Sequence, residues 1–174
     1  MNAGDTGFIL LCAALVFFMT PGLAFFYGGL VRRKNVGNTM MQCVFIMGVS
    51  IVMWVLFGYA LAFGGDHGGI IGGAKWFLFQ GVGMDPGPYA DTIPNLAFAA
   101  FQMMFAMITP ALITGSVVGR MRFKSLVIFI ILWSLIVYYP MAHMVWGEGG
   151  FLASIGSVDF AGGNVVHITS GVSG

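Results

Sequence analysis

The sixteen residues Asp159-Phe-Ala-Gly-Gly-Asn-Val-Val-His167-Ile-Thr-Ser-Gly-Val-Ser-Gly174 decide how this chain is read. An acid stands directly before a small-residue run, and a histidine follows about two helical turns later. If Asp159 caps a helix at a membrane surface, His167 lies roughly 12 Å along the axis, at 1.5 Å per residue. That depth is near the middle of a hydrocarbon layer about 30 Å thick. An ionisable group there is costly unless it faces protein, water or a substrate path. The glycines and serines around it allow other helices to approach closely.

Composition supports a membrane setting. Hydrophobic residues make up 59% of the chain and charged residues 7%, where soluble domains carry about 25% charged residues. Mean hydropathy is +0.94. The net charge of +1 gives no electrostatic basis for binding nucleic acid. Cys12 and Cys43 fall inside apolar stretches and read as small buried hydrophobes, not as a disulfide or a metal pair. No cofactor motif is present. The N-terminus MNAGDTG lacks a basic region and a cleavage site, so the first span is read as retained.

Four apolar spans and the start of a fifth follow: residues 6–30, 38–63, 93–118, 125–146 and 162–174 onward. The expected fold class is an all-α membrane protein, a polytopic helix bundle forming one membrane domain. Asp5 or Thr6 is expected to cap the first span, and Pro21 to kink it, with Thr20 or a neighbouring helix covering the freed carbonyl. Gly72 to Phe79 is expected to form a short surface helix within the glycine-rich connection 64–92. Six of the seven Lys/Arg sit at Arg32–Lys34 and Arg120–Lys124, while all six acids and Lys75 fall in the other connections. The positive-inside rule then places the two basic loops in the cytoplasm and the N-terminus outside. Four and a half spans suit one repeat of an inverted-repeat transporter.

Five residues stand out as site candidates. His167 is either helix glue bonded to a carbonyl or a pore and proton-relay group, and its depth favours the second. Asp159 is a helix cap, or an attractor of cations at a pore mouth. Phe101 and Phe105 share a helix face at i, i+4. Trp146 ends the fourth span, as an interfacial belt residue or as one face of a cation site. Gly171-Val-Ser173-Gly174 and Ala142-His143 resemble fragments of rhomboid protease motifs, but the serine and histidine occur in the reverse order.

Three longer stretches together resemble the ammonium transporter family (Amt/Mep/Rh). These are Thr20-Pro-Gly-Leu-Ala-Phe-Phe-Tyr-Gly-Gly-Leu-Val-Arg-Arg-Lys-Asn-Val36, Ala142-His-Met-Val-Trp-Gly147 and Asp159-Phe-Ala-Gly-Gly-Asn-Val-Val-His-Ile168. The resemblance runs the length of the chain and implies the N-terminal portion of the family's fold, its first inverted repeat, in a multi-pass protein of the inner or plasma membrane. It implies a homotrimer in the lipid bilayer, with a narrow pore in each subunit. The substrate is ammonium/ammonia, with methylammonium as analogue, and a PII-type regulator is implied on the cytoplasmic face. By the same resemblance Trp146 walls an outer ammonium site, Phe105 is one ring of a gate, Phe101 lines the approach, Asp159 supports the site and His167 is the first of two pore histidines. Trp146 sides with the Amt/Mep branch. The second histidine, the second gate ring and the second repeat have no counterpart in these residues. A sensor on the same scaffold and a non-conducting fragment are the alternative readings; an enzyme is not expected.

Overall fold

Four apolar helices long enough to cross a bilayer dominate the computed structural model, which describes all 174 residues. The first, α1, spans Ala3–Leu30. A single 3-10 turn, Arg33–Asn35, leads into α2, residues 36–63. Asn95–Val117 forms α3, residues 123–146 form α4, Phe151–Ser154 is the short α5, and residues 163–173 form α6. The fold class is the expected helical, polytopic one, and the helix limits lie within three residues of the spans read from hydropathy.

The start of α1 differs from expectation. Asn2, not Asp5 or Thr6, is the cap: its side-chain oxygen accepts from the amides of Gly4 at 2.8 Å and Asp5 at 3.3 Å. An asparagine free to take extended backbone just upstream captures the orphan donors first. Pro21 sits within α1 without ending it. Thr20 does not cover the freed carbonyl; its hydroxyl is buried and makes no hydrogen bond.

The connection after α2 also departs from the expected surface helix. Asp66–His67 (β1) pairs antiparallel with Ile71–Gly72 (β2), and Pro86–Gly87 (β3) with Ala90–Pro94 (β4). Helical geometry within 72–79 is confined to one 3-10 turn, Phe77–Phe79. Gly72 is drawn into the hairpin, and Leu78 and Phe79 take positive φ (56° and 57°), which an α-helix does not accommodate.

The N-terminus, this hairpin region and the connection after α4 lie on one face, called here the loop face. Asn2 N–H donates to Thr92 O at 2.7 Å, Phe151 N–H to Gly69 O at 2.8 Å, and Glu148 N–H to the Tyr89 hydroxyl at 3.1 Å. The opposite, basic face carries the Arg32–Lys34 and Arg120–Lys124 turns. Charge is therefore sorted between the two ends of the bundle.

The core is aromatic and centres on two wide π turns. Trp54–Gly58 interrupts α2 and Ser134–Tyr138 interrupts α4. The second stands just before Pro140, which has no N–H to offer a regular turn; the wider turn shifts the hydrogen-bond register there. The turns face each other, with Tyr139 lying against Gly58. A β-carbon at Gly58 would sit 2.7 Å from the Tyr139 ring. Trp54 donates its indole hydrogen to Ala99 O at 3.1 Å, and the Tyr59 hydroxyl donates to Asn95 Oδ1 at 2.6 Å, tying α2 to α3. Cys43 Sγ lies 3.4 Å from the Thr114 hydroxyl inside the same packing. By contrast, α1 leaves Phe8, Leu11, Leu15, Phe18 and Phe25 more than half exposed, an apolar surface suited to lipid or to further helices.

Gly58 gives a test of this packing. Alanine is a better helix former by roughly 1 kcal/mol, but overpacking against the buried Tyr139 costs about 1–3 kcal/mol. Gly58→Ala is therefore expected to lower the thermal midpoint of the purified protein in detergent, whereas Gly48→Ala, with open space at its β-carbon, is expected to leave it level or raised.

Candidate functional site

Trp146 is the last residue of α4 before Gly147 breaks the helix in extended backbone. Its indole N–H donates to the main-chain carbonyl of Asp159 at 2.9 Å, which fixes the ring against the loop leading into α6. The Phe105 ring, from the middle of α3, lies 6.2 Å from the Trp146 ring at 62°. Phe101, one turn earlier, meets Phe105 edge-on at 5.0 Å. The Thr109 hydroxyl donates to Phe105 O at 2.6 Å, one residue before Pro110, so the backbone under the Phe105 ring is held where the proline disturbs the helix.

Asp159 is a cap, although from four residues upstream of the helix. Its Oδ1 accepts from Gly162 and Gly163 N–H at 2.7 and 2.8 Å, and its Oδ2 from Asn164 and Val165 N–H at 2.7 and 2.9 Å. One carboxylate thus satisfies four amides at the start of α6, and its charge suits the positive end of the helix dipole. Burial pushes this carboxyl upward, but the four amide bonds outweigh it and hold Asp159 below the usual carboxylate range.

Gly162 makes the turn possible. It takes φ +87°, and a β-carbon there would lie 2.8 Å from Val166 Cγ2. Its carbonyl accepts from both Val166 N–H at 2.9 Å and His167 N–H at 3.0 Å, opening α6 as a π turn, Gly163–Ile168. His167 sits on that turn.

Two cavities meet at Phe105. The larger, about 810 Å³, opens on the loop face and is walled by Phe63, Tyr89, Phe98, Phe101, Phe105 and Trp146, with Asp159 at its rim. The smaller, about 320 Å³, is bordered by Met19, Leu23, Phe105, Ile108, Leu112 and His167. Only Phe105 and Ala161 border both. The structure thus brings Trp146, Phe101, Phe105 and Asp159 around one space and places His167 on the next. His167 is exposed in this chain, so α1 and α3 flank its space without enclosing it.

Sequence reasoning missed the other half of the aromatic wall. Tyr89 stacks on Phe98 at 5.3 Å and 5°, and Phe63 meets both edge-on at 4.9 and 5.3 Å. Phe98, Phe101 and Phe105 form an i, i+3, i+7 stripe that was readable from spacing. Tyr89 and Phe63 reach the cavity only through tertiary contacts. His143 was noticed only as part of motif resemblances and given no role. It is fully buried and lies within hydrogen-bond distance of Ala62 O and the Asp66 carboxylate.

The family model described as the Ammonium Transporter Family matches residues 7–174. The chain belongs to the ammonium transporter family. An ammonium transporter of Bacillus subtilis is 53% identical over 174 residues, all of this chain and 43% of that protein. The crystal structure of Candida albicans Mep2 superposes with a TM-score of 0.88 at 32% identity, over 98% of this chain and 37% of that one. A structure described as a sensor Amt protein matches with a TM-score of 0.87 at 25% identity, over 96% of this chain and 41% of that one. The chain thus spans about two-fifths of the length of the relatives it matches. The relatives it matches are described as ammonium transporters, not as enzymes. The serine and histidine of the protease-like fragments are not paired with each other: Ser173 accepts from the Trp133 indole at 2.8 Å and donates to Thr169 O at 2.7 Å, while the His143 ring is engaged at Ala62 and Asp66.

Asp159→Asn leaves one acceptor oxygen for four amides and should cost on the order of 1–2 kcal/mol. Because the folded carboxyl is held low, its contribution is complete above the ordinary carboxylate range and is lost as pH falls through the folded value. The difference in thermal midpoint between the parent and Asp159→Asn should therefore stay constant from pH 8 to about pH 5 and shrink below about pH 4.

Proposed function

We propose that these residues form the N-terminal portion of an ammonium transporter. Ammonium is recruited at the aromatic cavity, gives up a proton, and passes as ammonia beyond Phe105 toward His167. The observation that carries this reading is the placement of Phe105 as the shared wall between the Trp146 cavity and the His167 cavity. Aromatic faces attract a small desolvated cation through the ring quadrupole, and the Asp159 carboxylate at the rim adds favourable charge. An apolar barrier makes passage of a bare charge costly. Potassium matches ammonium in size and charge but has no proton to shed, so a greasy constriction separates them where a cation cage would not. Beyond it, the imidazole of His167 offers a hydrogen bond to ammonia and a place for a proton.

In this reading the loop face is outside the cell, the basic face is cytoplasmic by the positive-inside rule, and the protein is a multi-pass component of the cell membrane. It assembles as a homotrimer, for which the apolar face of α1 offers surface, and a PII-type regulator would meet the basic face.

The test is a chimera in which residues 1–174 replace the matching segment of the Bacillus subtilis relative. Methylammonium uptake is expected, with potassium excluded. His167→Ala should abolish uptake or alter its selectivity sharply, and Phe105→Ala should raise cation leak. Uptake and selectivity unchanged in His167→Ala would refute the pore role. A second reading, an ammonium sensor on the same scaffold, is favoured by the fold match to the sensor protein. A chimera that binds methylammonium yet fails to support growth on limiting ammonium would select it.

A further inference from the structure

His143 lies three residues before Trp146, and its ring is completely buried. Nδ1 is 2.9 Å from Ala62 O, and Nε2 is 3.0 Å from Asp66 Oδ1. Ala62 is in the last turn of α2, where carbonyls have no intrahelical partner, so the ring caps α2 from α4. The next residue, Phe63, walls the aromatic cavity. Asp66 opens the β1–β2 hairpin and also accepts from Gly69 N–H at 2.6 Å; Gly69 O in turn receives Phe151 N–H. The Gly147–Gly150 turn folds tightly over the ring. Gly147 N–H donates to His143 O at 2.8 Å, and a side chain at Gly147 would collide with the imidazole. One imidazole thus joins the end of α2, the end of α4 and the hairpin between them, directly beneath the turn that carries Trp146.

A main-chain carbonyl can only accept a hydrogen bond, so Nδ1 carries a hydrogen. The His143 bond and the Gly69 amide hold Asp66 below the usual carboxylate range. The carbonyl and the carboxylate thus face the two ring nitrogens, one each. We infer that His143 is a positioning residue for the aromatic cation site: by bridging Ala62 and Asp66 it sets Trp146 and Phe63 at their separation across the cavity. The inference rests on reading that cavity as the cation site. Loss of either bond lets the loop-face end of α4 move against α2, which loosens the cup without removing any group that touches the cation.

Asparagine at position 66 makes the inference sharp. Both the ring and Gly69 N–H meet one atom, Asp66 Oδ1, and the asparagine oxygen can stand in its place, so the link survives and only the charge is lost. In the chimera described above, with uptake normalised to protein in the membrane, His143→Ala and Asp66→Ala are expected to raise KM for methylammonium about tenfold, with maximal rate per molecule changed less than about twofold. Asp66→Asn should remain within about twofold of the parent in KM. Trp146→Leu, run alongside, reports on the site: an unchanged KM there refutes the cation-site reading. A raised KM in Trp146→Leu with an unchanged KM in His143→Ala overturns only the positioning role. Equal losses in Asp66→Asn and Asp66→Ala would assign the effect to the carboxylate acting on the cation through space, and would also overturn it. Where His143→Ala does not accumulate in the membrane, the two Asp66 variants decide the question.

Discussion

The bonds from the Asp159 carboxylate to four consecutive amides organise everything around the site. A helix that begins inside a bundle leaves its first amides without partners, and in a low-dielectric setting each unsatisfied group is expensive. One anion settles all four. In doing so it fixes where α6 starts, and so where the His167 turn lies relative to the loop face. The same residue offers its main-chain carbonyl to the Trp146 indole. The Trp146 ring and the His167 imidazole are therefore located by two ends of one amino acid.

Around that anchor the bundle uses aromatic packing where a soluble protein would use a hydrophobic core driven by water. Trp54, Tyr59, Phe63, Tyr138 and Tyr139 are almost fully buried, and the polar atoms of two of them reach across helices, Trp54 to Ala99 and Tyr59 to Asn95. Between helices in lipid, such contacts and close approaches at small residues replace the hydrophobic drive. The hairpins on the loop face extend this lattice: Tyr89 bonds Phe63 O at 3.0 Å through its hydroxyl while its ring walls the cavity.

Much of this was legible in the residues. Long apolar runs bounded by Arg32–Lys34 and Arg120–Lys124 mark helices because hydropathy and charge act over twenty residues at a time. Trp146, Phe101, Phe105 and Asp159 fall around one space, of which only the shared face of Phe101 and Phe105 follows from spacing. The β1–β2 and β3–β4 hairpins were not legible, because a glycine-rich connection carries little local preference and the choice between turn, strand and helix falls to distant partners. The role of His143 was hidden for a similar reason. Its motif was noticed, but its partners, Ala62 and Asp66, are some eighty residues away. Asn2 shows the limit of cap reading: several capping residues stood in a row, and the structure selected the first.

The notch at Gly58 has a mechanical consequence. With Tyr139 seated in it, α2 and α4 are keyed together at mid-height, like two gears meshed at a single tooth. Neither helix can slide along the other by a turn without lifting a buried phenol out of its seat. This part of the molecule is thus poorly suited to the rocking of whole helices by which many carriers expose a site alternately to either side. What the packing leaves free are small motions, such as the rotation of the Phe105 ring about its own bonds.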